Sequence, residues 1–185
     1  MGPRSLIICI FFLCLTISSL AQSIDPYCHV EVVSGSPASF VFSSMSDYDA
    51  GKTLIYTSTV RAYYFKEPLS WQLCVKSAAP YFDGPGDLGV EVISMQVENL
   101  YFNKTEIPQL GANHSWTPAG PVRPREGEQP LCTGNISRDF SFGDNQVLDF
   151  VIRLTCRSTA SAALGDAPQG YYVSQAIFYM NTSYK

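Results

Sequence analysis

Apolar and polar residues alternate along most of this chain, with a period of two, the signature of strands with one face in a core and the other in water. In "PLSWQLCVKS" (68–77) Trp71, Leu73 and Val75 share one side, and Gln72, Cys74 and Lys76 share the other. "QVLDFVIRLTCR" (146–157) places Leu148, Phe150, Ile152, Leu154 and Cys156 on one face. "CHVEVVS" (28–34), "ASFVFSS" (38–44), "KTLIYTSTVRAYYF" (52–65), "LGVEVISMQVENLYF" (88–102) and "GYYVSQAIFYMN" (170–181) are likewise rich in β-branched and aromatic residues, which pack well on a pleated surface. Turn chemistry separates them: "SGSP" (34–37), "SDYDAG" (46–51), "FDGPGDLG" (82–89), "FGDN" (142–145) and "LGDAPQG" (164–170). A helical period is not sustained anywhere, and 158–164 allows one helical turn at most. The pattern predicts an all-β fold, an antiparallel β-sandwich of about seven strands.

Two segments depart from the alternation. "IPQLGANHSWTPAGPVRPREGEQP" (107–130) is dense in proline and glycine. Proline cannot donate to a sheet ladder, so this stretch reads as a long loop with at most a short edge strand. The N-terminus, "MGPRSLIICIFFLCLTISSLAQS", has one arginine, an apolar run from Leu6 to Leu15 and small residues at Ser19 and Ala21. That is the form of a secretory signal peptide over 1–21, cut between Ala21 and Gln22. The apolar run is too short to cross a bilayer core of about 30 Å, so stable membrane insertion is not expected. The mature chain, 22–185, reads as one exported domain.

Export decides how the cysteines are read. Cys9 and Cys14 leave with the leader, and Cys28, Cys74, Cys132 and Cys156 remain. An even number in an oxidising compartment implies disulfides. Three pairings are open, and Cys28–Cys74 with Cys132–Cys156 is the preferred one. The wide spacings are unlike the close cysteine pairs of structural zinc sites, and no cofactor or metal is expected.

The remaining chemistry is sparse. The net charge of −4, with lysine and arginine scattered, offers no basic stripe for nucleic acid. With two histidines, His29 and His114, and none of the local catalytic motifs, the chain does not read as an enzyme. Asp47 with Asp49, and Asp83 with Asp87, read as turn residues, since the further ligands of a calcium loop do not follow. The sequons at Asn103, Asn113, Asn135 and Asn181 matter only where the source glycosylates. Aromatic side chains supply the candidate ligand-binding set: Trp116 in the long loop, Tyr63 in "RAYYF" and Tyr171 in "GYY". Trp116 is either a contact residue or, as is commoner for tryptophan, folded back on the sandwich.

Several of these features occur in one order. Cys28 lies near the mature start, followed by Phe40 with Phe42, Asp47-Tyr48 with Gly51, the strand around Trp71, and a closing Pro168, Gly170 and Tyr172. The order resembles that of the spore coat protein U and archaic chaperone–usher pilin group. The Trp71, Leu73, Val75 strand is also similar to secreted sandwich proteins of the Bacteroidetes. The resemblance implies an immunoglobulin-like sandwich at the cell surface or in the periplasm, a pilus- or fimbria-like structural or adhesive subunit with other protein subunits as partners. Only "QSIDPY" precedes Cys28 in the mature chain, which is short for the alternating apolar extension that a polymerising subunit donates to its neighbour. The alternative is a secreted module that binds surface glycans or another ligand through its tyrosines and tryptophan.

Overall fold

The computed structural model describes residues 13–21, 27–42, 54–64, 68–106, 109, 114–136, 146–157 and 164–184. Among them lie eleven strands and no α-helix: β1 (Leu13–Ala21), β2 (Cys28–Ser34), β3 (Ala38–Phe42), β4 (Leu54–Tyr64), β5 (Pro68–Ser77), β6 (Ile93–Phe102), β7 (Thr105–Glu106), β8 (His114–Pro118), β9 (Gln129–Ile136), β10 (Gln146–Cys156) and β11 (Gly170–Tyr184). They form a six-stranded sheet in the order β3-β1-β11-β5-β9-β8 and a five-stranded sheet in the order β2-β4-β10-β6-β7. The all-β two-sheet sandwich follows from the alternation, because each sheet buries one face against the other.

The core is built from the predicted inward positions. Leu148, Phe150, Ile152, Leu154 and Cys156 of β10 are all buried, as are Trp71, Leu73 and Val75 of β5. The Trp71 indole meets the Phe150 ring edge-on across the two sheets, at 5.3 Å between centroids, an arrangement that aromatic quadrupoles favour. Tyr172, Phe178 and Met180 of β11 and Phe40 of β3 complete the interior. A bidentate pair fastens β4 to β10 on the outer face: Arg61 donates through Nε at 2.5 Å and through its terminal nitrogen at 2.8 Å to Asp149.

The structure has eleven strands where the sequence pattern suggests about seven. The 88–102 segment divides into a 3₁₀ turn at Val90–Val92 and strand β6. β8 lies inside the proline-rich stretch and β9 contains both Pro130 and Gly134. β9 tolerates Pro130 because its ladder with β5 shifts register beside it, between Leu73 and Cys74. Residues 158–163, where a helical turn was allowed, and the Asp47–Asp49 turn lie outside the described residues.

Candidate functional site

The segment that reads as the end of a leader is a sheet strand in this structure. β1 runs parallel to β11, from Leu13 opposite Gly170 to Ala21 opposite Phe178. On its other side it runs antiparallel to β3, from Leu13 opposite Phe42 to Ile17 opposite Ala38. It is the only parallel neighbour pair among the described strands. Ile17 is buried in the shared core and Ala21 packs against it. β1 therefore occupies a strand-wide slot whose walls are the backbone edges of β3 and β11. Its floor is the opposite sheet, with β2 nearest.

The cysteines sit on four strands, two in each sheet, and no disulfide joins them. Cys28, Cys132 and Cys156 face the core, but Cys74 does not belong to it. Cys74 lies on the opposite face of β5, where its thiol donates to Gln72 Oε1 at 3.4 Å and accepts from Asn181 Nδ2 at 3.7 Å. The preferred Cys28–Cys74 bridge is thus not formed, and the two side chains point to different faces of the fold. Burial holds the Cys74 thiol up at about 11, and pushes the Cys132 and Cys156 thiols higher still. Such thiols are poor nucleophiles at neutral pH. Tyr179, opposite Cys74 on β11, is also raised by burial.

The three aromatic candidates are not brought together. Trp116 is 3 % exposed and belongs to the core, so it is no surface contact residue: β8 pairs with β9, with Trp116 opposite Gly134 in the ladder. Tyr63 on β4 is half-buried, donates to Glu31 Oε1 at 2.6 Å and stacks on His29 at 6.1 Å. Tyr171 is 74 % exposed. It shares the outer face of β11 with Val173, which lines a shallow cavity of about 290 Å³ with Tyr81, Asp83 and Gln175. No family model, curated protein or solved structure matches this chain.

A second cavity, of about 270 Å³, opens on the outer face of the five-stranded sheet, lined in part by Arg123, Arg153 and Arg157. Arg153 and Arg157 alternate with Thr155 along one segment, but Arg123 is 30 residues away from Arg153, so no single linear motif announces the group. Among the described residues no three His, Cys, Asp or Glu side chains gather as a metal site. No helix there is long and apolar enough to cross a membrane.

Proposed function

We propose that the chain is an exported, non-catalytic immunoglobulin-like sandwich that serves as a structural or adhesive subunit of a cell surface, pilus- or fimbria-like in its mode of assembly. The observation that carries this reading is the double identity of residues 13–21, which have the sequence of a leader's end and the position of β1 between β3 and β11. Once a signal peptidase cuts after Ala21, those two edges face each other across one missing strand. A neighbour's extended segment would restore the ladder and bury Phe40, Ala176 and Phe178 again, the recognition mode in which a strand is added to a sheet.

The test is to export residues 22–185, purify them, and compare them alone and with a peptide copying residues 13–21. Light scattering and thermal melting are the readouts. A domain that self-associates or melts early alone, and gains about 10 °C or more with the peptide, supports the reading; that gain is a few kcal/mol in a domain of this size. A stable monomer indifferent to the peptide, with slow amide exchange in β3 and β11, refutes it.

The exposed Tyr171, with Tyr81 and Val173 beside a cavity on the same sheet, favours a second reading: a secreted carbohydrate- or ligand-binding module. Loss of glycan binding on Tyr171→Ala would move it to first place.

A further inference from the structure

Three lines of backbone build the floor of the arginine-lined cavity. Arg153 pairs with Gln96 and Thr155 with Ser94 across the β10–β6 ladder. Arg157 extends that ladder by donating its amide to the Val92 carbonyl at 2.7 Å. On the far side of β6, Met95 and Val122 exchange two backbone hydrogen bonds, at 2.7 and 2.8 Å. Val122 packs against the core, so by strand alternation its neighbours Pro121 and Arg123 lie on the outer face with Ser94 and Gln96. Arg153 and Arg157 are about 13 Å apart along the backbone, a span that two extended guanidinium side chains can close. The fold thus draws three arginines around one hollow, with Ser94, Gln96 and Thr155 between them.

No carboxylate lines the hollow. Two acids lie nearby, and one of them offsets part of the arginines' charge. Glu98 takes a salt bridge from Arg153, and the Glu91 carboxylate lies back against Gly89. The Glu91 carbonyl accepts from Arg123 and so holds that side chain in place. Arg153 Nε is buried and makes no hydrogen bond, leaving an unmet donor on a side chain of the cavity wall. Buried donors are normally matched. Three arginines against the one paired carboxylate of Glu98 leave the hollow locally positive on a chain of net charge −4. At physiological salt its attraction is local, because charges more than about 8 Å away are screened.

We infer that this hollow is a binding site for a tetrahedral oxyanion, a sulfate or phosphate group. One carboxylate is fully matched by a single guanidinium fork, and Arg153 already has one in Glu98. Guanidinium groups from three sides, with hydroxyl and amide donors between them, match a dianion with several acceptor oxygens. The group enters either as the free ion or as an ester on a larger molecule such as a sulfated sugar. The site lies on the five-stranded sheet, away from the β1 slot of the six-stranded one, and does not depend on how that slot is filled.

The experiment is calorimetric titration of the purified chain with sodium sulfate and sodium phosphate at constant ionic strength, with sodium chloride as reference. Saturable binding of either dianion above the chloride reference is expected. Arg123→Met and Arg157→Met should each weaken it roughly tenfold, the loss of one charged hydrogen bond, and together abolish it. Both residues are exposed, so melting temperatures should stay near that of the parent. A sulfated disaccharide that binds more tightly than inorganic sulfate, while its desulfated form does not bind, identifies an ester as the source; equal affinity identifies the free ion. Absence of saturable dianion binding by the parent chain overturns the proposal, and this arm needs no variant to fold. Binding that survives the double substitution overturns it too.

Discussion

Gly134→Ala is expected to destabilise the protein, against the usual effect of that change in an extended strand. Gly134 lies opposite Trp71 on β5 and opposite Trp116 on β8, so two indoles flank one glycine at a single register. A Cβ at position 134 would overlap Cζ2 and Cε2 of Trp71. Trp71 cannot move aside freely, since it is 2 % exposed and its ring rests on Phe150 at 5.3 Å. Replacing glycine in an unstrained extended position normally gains about 0.4–1 kcal/mol by restricting the unfolded chain. Overpacking a core costs about 1–3 kcal/mol, and disturbing the edge-to-face pair costs about 0.5–1.5 kcal/mol more. The net expectation is a loss of about 1–3 kcal/mol, a fall of roughly 2–12 °C in melting temperature for a domain of this length. Thermal unfolding followed by near-UV circular dichroism reads both the stability and the tryptophan environment. Trp71→Phe removes the overlapping atoms, so Gly134→Ala introduced on that background should cost much less than it does alone. A Gly134→Ala protein as stable as its parent, with an unchanged near-UV spectrum, would refute the packing argument.

Other consequences are open to measurement. The Arg61–Asp149 pair is bidentate and only partly exposed, so a double-mutant cycle with Arg61→Met and Asp149→Asn should give a coupling near 1 kcal/mol, the upper end for surface pairs. A coupling near zero would mean that the pair is incidental. Phe150→Ala, at a fully buried site beside Trp71, should cost about 3–5 kcal/mol in urea unfolding. The thiols give stability a pH dependence of definite sign. Cys74 is raised to about 11, and Cys132 and Cys156 further, from about 8.5 in an unfolded chain. Their contribution is fully present below about pH 8.5 and is lost as pH rises toward and through the folded values. In reducing buffer the urea midpoint should therefore fall between pH 8.5 and 10.5, and a flat midpoint over that range would contradict the burial.

Strands with strict alternation were legible from residues alone. The inward face of β10 and the Trp71, Leu73, Val75 face of β5 stand as the pattern places them, because burial on one side of a sheet imposes the period. The outward position of Cys74 was legible in the same way. Most of what covers it was not, since Asn181 and Tyr179 reach that face only through the pairing of β5 with β11. β9 was hidden by Pro130 and Gly134, which act locally as breakers. Here the proline sits at a register shift, and the glycine makes room for an indole. Trp116 is buried, the commoner of the two readings for a tryptophan, because its loop supplies an edge strand that packs on β9. The arginine hollow was half readable: Arg153, Thr155 and Arg157 alternate on one strand face, but Arg123 joins them only through the Met95–Val122 bridge.

The place of β11 bears on how the chain reaches this fold. The last described strand lies inside its sheet, between β1 and β5. The six-stranded layer therefore cannot close until the residues of β11 are free to fold. The five-stranded layer can form earlier, once β10 has joined β4 to β6. Pairings this distant along the chain make for a high contact order and slow folding. During that interval β5 shows a bare edge to other chains. Losing the residues of β11 would leave that edge of β5 permanently bare, so a stop codon just before Gly170 should yield aggregate rather than a shortened domain.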